Sequence, residues 1–136
     1  MLKITIPEKI YDELVAHCRQ GYPNEACGIL AGRESVISRI YRTTNTEKSP
    51  VSYLMDPSEQ FRVMKDMREN DLAMVAIFHS HPSSPAEPSG RDVALAFYDD
   101  TIYLIVSLME QEPVVRAFSI REGKIAEVAL SVKGEE

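Results

Sequence analysis

The sequence predicts an α/β domain, a single mixed β-sheet flanked by helices. Three observations predict it. Strand-like and helix-like patterns follow in the order β, α, β, β, α, β, α and then three strands, which suits helices packed on a mixed sheet. A continuous apolar run, residues 72–78, lies between polar neighbours and has the length of a strand buried on both faces. The chain has 136 residues, 44% of them hydrophobic, enough for one core without staples. One domain over residues 1–136 is therefore expected.

Each element follows from its local pattern. Residues 2–6 alternate apolar and polar, as a strand does. Pro7 suits the first position of a helix. Ile10, Tyr11, Leu14, Val15 and Cys18 then share one helical face, and Gly21 ends the element. Residues 26–31 are apolar and residues 36–41 alternate, so the two segments read as a hairpin turning at Gly32-Arg33-Glu34. Asp56-Pro57-Ser58-Glu59 has an acidic N-cap, a proline at N1 and a glutamate at N3, which starts a second helix. Its expected buried face carries Phe61, Met64 and Met67. A third helix is expected from Ser89. Residues 101–107, 114–120 and 125–132 read as strands, the last two joined by a turn at Arg121-Glu122-Gly123. There is no internal repeat and no low-complexity linker.

The formal net charge is −6, which argues against nucleic acid as a partner, because phosphate binding needs a basic surface. Two cysteines, Cys18 and Cys27, do not make a disulfide framework and suggest a reducing, cytoplasmic setting. The opening residues lack the apolar core of a signal peptide, and no lipidation signal is visible at either end. The longest apolar run is far too short to span a membrane.

The chemistry gathers in His79-Ser80-His81-Pro82-Ser83-Ser84-Pro85-Ala86-Glu87-Pro88-Ser89-Gly90-Arg91-Asp92. In an extended strand, period two puts His79 and His81 on one side, which can make half of a zinc site. Three prolines limit the loop that follows. If Ser89 opens a helix, Asp92 lies one turn on and can be the third ligand, leaving a fourth position for water. Ser89-x-x-Asp92 alone is equally a capping box, and a lone H-x-H arises by chance. The two signals bridged by a proline-pinned loop favour the metal. A hydrolytic zinc also needs a base. Glu25 is a candidate, since it follows a turn and precedes an apolar strand, although composition alone does not distinguish it from an exposed loop glutamate.

Together, Glu25-x-Cys27-Gly28-Ile29-Leu30, His79-Ser80-His81-Pro82, seven residues to Ser89, and Ser89-x-x-Asp92 resemble the JAMM (MPN+) metalloprotease motif, in its compact prokaryotic branch. The resemblance implies the JAMM/MPN fold, which is like that of cytidine deaminases. It implies one Zn2+ per chain held by His79, His81 and Asp92, with Glu25 as general acid/base and Ser89 stabilising the oxyanion. It implies a peptidase or isopeptidase that cleaves after the C-terminal Gly-Gly of a ubiquitin-like or sulfur-carrier protein. Whether the leaving group is a lysine side chain or a single amino acid stays open, as does monomer against homodimer. A Gly-Gly tail could pair with a strand edge, for which residues 51–54 are the candidate.

Cys27, two residues from Glu25, is either a fourth ligand or a small buried residue, and the second reading is favoured. Cys18 reads as helix core, His17 as a boundary histidine, and Arg91 as a solvated arginine. The alternative function is a non-catalytic scaffold domain of the same fold that binds protein partners; such relatives usually lack motif residues that are all present here. A zinc deaminase needs H-x-E and P-C-x-x-C, and a serine hydrolase of the elbow type needs G-x-S-x-G; none of these is in the chain.

Overall fold

The structure is a computed structural model, and it describes residues 3–134. Leu2, the first residue of the expected opening strand, lies outside the described residues, as do the last two residues. The elements run β1 Lys3–Pro7, α1 Glu8–Gly21, β2 Cys27–Arg33, β3 Val36–Thr43, α2 Pro57–Glu69, β4 Ala73–His81, α3 Gly90–Ala94, β5 Ile102–Ser107, β6 Val114–Arg121 and β7 Lys124–Lys133. The order and types are those the sequence predicts.

The sheet is mixed, as expected, and it also closes on itself in the order β1-β3-β2-β4-β5-β6-β7. The β4–β5 pair is parallel, while β2–β3, β2–β4, β5–β6 and β6–β7 are antiparallel. Closure comes from β1, which runs parallel to β7 over Lys3↔Ala129 to Pro7↔Lys133 and touches β3 at Thr5↔Val36. No local pattern announces this closure, because it joins opposite ends of the chain.

Two cores line the two faces of the sheet. Alternation sends Leu30, Ala76, Phe78, Leu104 and Val106 to the face that carries Leu14 and Cys18 of α1. It sends Cys27, Ile29, Ile77, Tyr103 and Ile105 to the face that carries Val63 and Met67 of α2. Residues 75–81 of β4 and all of β5 are buried. These two strands lie inside the sheet with both faces covered, which explains the unbroken apolar run.

Three local expectations are corrected. The α2 face that packs inward is the Val63–Met67 row; Met64 is partly buried, and Phe61 is 72% exposed. The first hairpin turns at Glu34-Ser35, both with positive φ, while Gly32 stays within β2 at an irregularity in its pairing. A side chain at Gly32 would run into the Val36 carbonyl, so its glycine serves close approach and not the turn. Residues 51–54 form no named strand and adjoin a single bridge, Asn45↔Met55. Their backbone is taken up by Asn45, which donates to the Ser52 carbonyl and accepts from the Leu54 N–H.

Asp56 caps α2 as predicted, its Oδ1 accepting from the N–H groups of Ser58 and Glu59. Glu59 does not complete a capping box. Its carboxylate accepts from the Thr44 N–H at 2.6 Å and the Thr44 hydroxyl at 2.9 Å, tying the helix to the segment after β3.

Gly28 shows how tightly β2 and β4 fit. A Cβ there would lie 2.4 Å from the Phe78 ring and 2.4 Å from the Tyr41 carbonyl. Gly28→Ala is expected to destabilise the fold by at least about 1–3 kcal/mol, the usual range for overpacking, measured by denaturant unfolding.

Candidate metal centre

The site grows from the register between β2 and β4. Cys27 stands opposite His79, and the antiparallel pairing, continued two residues, sets Glu25 opposite His81. Just past the ladder, the Ser80 N–H donates to the Ala26 carbonyl at 3.0 Å and the Ala26 N–H donates to Ser80 Oγ at 2.8 Å. Ser80 therefore turns to the α1 face, and His79 and His81 turn to the α2 face. The strand runs through both histidines to its last residue, and β5 supports it as far as His81↔Ser107.

The loop after His81 is anchored from below. Ser107 Oγ donates to the Ser84 carbonyl at 2.6 Å, and Ala86 is buried. The loop delivers Ser89 as the N-cap of α3 with both halves of a capping box: Ser89 Oγ accepts from the Asp92 N–H, and Asp92 Oδ2 accepts from the Ser89 N–H. The box fixes the rotamer of Asp92 and points Oδ2 at the histidines.

Three atoms converge there. His79 Nε2 lies 3.2 Å and His81 Nε2 3.0 Å from Asp92 Oδ2, and the two Nε2 atoms are 3.1 Å apart. Tetrahedral zinc with bonds of about 2.0–2.1 Å sets its ligands roughly 3.3 Å apart, so the spacing fits. Among the described residues this is the one group of three metal-ligating side chains. The proton count points the same way. His81 Nδ1 faces the Pro85 carbonyl at 2.8 Å, and a carbonyl only accepts, so Nδ1 carries the proton. In the neutral ring Nε2 is then a lone pair facing a carboxylate oxygen. Two acceptors at 3.0 Å need a proton or a metal cation between them.

The electrostatics divide the carboxylates. Burial pushes Asp92 up, but the imidazoles of His79 and His81 and the Ser89 N–H outweigh it and hold Asp92 far below the usual carboxylate range. Burial lowers His79. Burial also acts to lower His81, yet Asp92 and the Pro85 carbonyl raise it overall. Glu25 is pushed up to about 7, chiefly by burial. It is 5% exposed, and its Oε1 has no hydrogen-bond partner among the described residues. Its backbone is pinned: its N–H donates to the Ser49 carbonyl at 2.8 Å, and its carbonyl accepts from Asn45 Nδ2 at 2.9 Å.

The structure thus groups His79, His81 and Asp92, buries Glu25 beside the sheet, and makes Ser89 the cap next to Asp92. The neighbouring candidates stay outside. The Cys27 thiol lies 3.3 Å from Thr43 Oγ1, and burial pushes it up to about 11, the state of a packed thiol. Cys18 is in the core. His17 meets the Cys27 carbonyl at 3.0 Å. Arg91 is exposed and reaches Glu47 at 3.4 Å. Sequence reasoning missed Asn45 and Ser107, and it read Tyr53 only as part of a candidate strand edge. Tyr53 stacks on His79 with centroids 4.8 Å apart. No spacing signal singles these residues out, because each acts across a tertiary contact.

A family model described as prokaryotic homologs of the JAB domain matches residues 7–121. The CysO-cysteine peptidase of Mycobacterium tuberculosis is 36% identical over 132 residues, covering 95% of this chain and 90% of that protein. A probable TtuB-protein conjugate cleaving protease of Thermus thermophilus is 36% identical over 132 residues, covering 96% and 84%. A protein of Desulfitobacterium hafniense, solved in solution, superposes with a TM-score of 0.89 at 44% identity, covering 97% and 94%.

The raised Glu25 carboxyl has a consequence for the metal-free protein. Its folded state holds the proton to about pH 7, while the unfolded chain releases it near 4.5, so stability falls as pH rises between those values. Glu25→Gln removes that dependence. Relative to its value below pH 4, the stability gap in favour of the variant should grow by about 3 kcal/mol by pH 8, at 1.4 kcal/mol per pH unit. Thermal or urea unfolding of both proteins across pH 4–8, in chelator, checks this.

Proposed function

The chain belongs to the family of prokaryotic JAB-domain homologs and is a peptidase of that family; we propose that it is zinc-dependent and hydrolyses the bond after the C-terminal Gly-Gly of a ubiquitin-like or sulfur-carrier protein. The observation that carries the reading is the convergence of His79 Nε2, His81 Nε2 and Asp92 Oδ2, with a buried Glu25 carboxyl electrostatically coupled to His81 and Asp92. Zinc, when bound, supplies an activated water at neutral pH and polarises the scissile carbonyl.

The remaining work falls to the chain's own residues. Burial raises the Glu25 carboxyl in the metal-free protein, and a buried carboxylate beside the histidines suits proton transfer, so Glu25 takes the proton of the attacking water and delivers it to the leaving amine. Ser89 Oγ is committed to the Asp92 N–H only as an acceptor; its own proton is free to hydrogen-bond to the developing oxyanion. A pocket at His79 and Asp92 is lined by Ser52, Tyr53, Arg91 and Leu95, and Arg91 is held 3.4 Å from Glu47. A tail without side chains, such as Gly-Gly, is the kind of substrate that would reach so narrow a pocket.

The two named relatives differ in the group released: a single cysteine in one name, a conjugated protein in the other. Both classes of leaving group are therefore proposed. The net charge of −6 speaks for a protein partner and against nucleic acid. No helix among the described residues is long and apolar enough to cross a membrane. Two free, buried cysteines suit a cytoplasmic setting. A scaffold role has no observation in its favour, since the three side chains that could hold a metal are all present and grouped.

The test is to incubate the zinc-loaded protein with a Gly-Gly carrier extended by one amino acid, and with one linked to a lysine side chain, and to follow mass. Loss of the appended group from either is expected; inactivity on both overturns the reading. Glu25→Gln should retain stoichiometric zinc and lose turnover by about 10²–10⁴-fold. His81→Ala should lose both. Ser89→Ala should lower kcat by about 10²-fold or more with zinc retained, and Ser89→Thr should recover much of it.

A further inference from the structure

The two histidines are held by different means. His81 donates its Nδ1–H to the Pro85 carbonyl, the usual device that orients a metal-binding imidazole. His79 has no such partner among the described residues. The residue is 1% exposed, and its Nδ1 is buried without a hydrogen bond. An imidazole lacking that contact is free to turn about its Cβ–Cγ bond unless packing stops it. What lies against it is the ring of Tyr53, stacked at 4.8 Å with an interplanar angle of 24°.

We propose that Tyr53 is a positioning residue of the metal centre: its ring, in place of a hydrogen bond, fixes the plane of His79 so that Nε2 stays aimed at the point it shares with His81 Nε2 and Asp92 Oδ2. The proposal rests on the zinc reading above. Turning the His79 ring would drive its edge into the Tyr53 face, while the His81 ring blocks a second direction at 4.9 Å and 62°. Tyr53 is itself held on both sides by one buried side chain. Asn45 Nδ2 donates to the Ser52 carbonyl at 3.0 Å, and Asn45 Oδ1 accepts from the Leu54 N–H at 3.1 Å. The same Nδ2 donates to the Glu25 carbonyl. One amide thus ties the residue covering His79 to the backbone of the proposed base. In this arrangement the ring face of Tyr53 does the positioning and its hydroxyl has no part.

The experiment measures zinc affinity of the purified protein by competition with a chromophoric chelator, and the visible spectrum of the cobalt-loaded protein, for wild type, Tyr53→Phe and Tyr53→Leu. Tyr53→Phe should stay within about twofold of wild type with an unchanged cobalt spectrum. Tyr53→Leu should bind zinc about 10–100-fold more weakly, the usual loss when a ligand's orienting partner is removed, with altered cobalt bands. Tyr53→Met, which fills the same space with a flexible chain, is read in the same way if the leucine variant does not fold. A folded leucine or methionine variant with wild-type affinity and spectrum, whatever its melting temperature, overturns the proposal. A loss in Tyr53→Phe as large as in Tyr53→Leu assigns the effect to the hydroxyl and also overturns it. A wild-type chain that takes up no zinc overturns the metal reading, and this inference with it.

Discussion

The pairing register between β2 and β4 is the constraint on which the site depends. A slip of one residue in a strand moves every side chain to the opposite face. With Cys27 opposite His79, residues 25, 27 and 29 share a face with residues 77, 79 and 81. Several features hold this register. Gly28 lets the Phe78 ring and the Tyr41 carbonyl approach to distances that no side chain allows. Ser80 and Ala26 exchange two hydrogen bonds just past the last ladder pair. On its other side β4 runs parallel to β5 for six residues, up to His81. The histidines therefore stand on a strand end that is held from both sides, and a buried strand end is far stiffer than a loop.

That stiffness is what allows strained electrostatics to persist. Two carboxyl groups lie in the same region with opposite tendencies. Asp92 is driven to ionise because two imidazoles and a backbone N–H point at one of its oxygens. Glu25 is driven to keep its proton because burial strips its oxygen of water and supplies no donor. Pushing two titratable groups apart in this way is how one site separates a fixed charge from a group that exchanges protons. The capping box of α3 adds to the division, since the hydrogen bond that stabilises Asp92 as an anion also starts the helix that carries it.

Much of the fold was legible in the sequence because its signals are local. Alternation, helical periodicity and the Asp56-Pro57 and Ser89-x-x-Asp92 starts all act within a few residues, and they gave the order and type of the ten elements. The errors arose where a local pattern had two solutions. Phe61 and Val63 both suit an amphipathic helix, and only the fit against the sheet turned Val63 inward. Gly32 suited a turn, yet a close backbone contact kept it in the strand. Residues 51–54 were the candidate edge for a substrate tail, but Asn45 claimed the backbone groups that a ladder would need.

For the site, the sequence by itself determined the candidate ligands: two histidines at strand spacing and an aspartate one turn into a capped helix, with the spaced motif bringing in Glu25 and Ser89. Only the tertiary structure decided that three atoms meet within 3.2 Å, that Glu25 is buried without a partner, and that Asn45 and Tyr53 support the arrangement. The reason is the range of the interactions. Spacing fixes which face of its own element a side chain takes, while convergence depends on strand register, sheet closure and packing between segments distant in the chain.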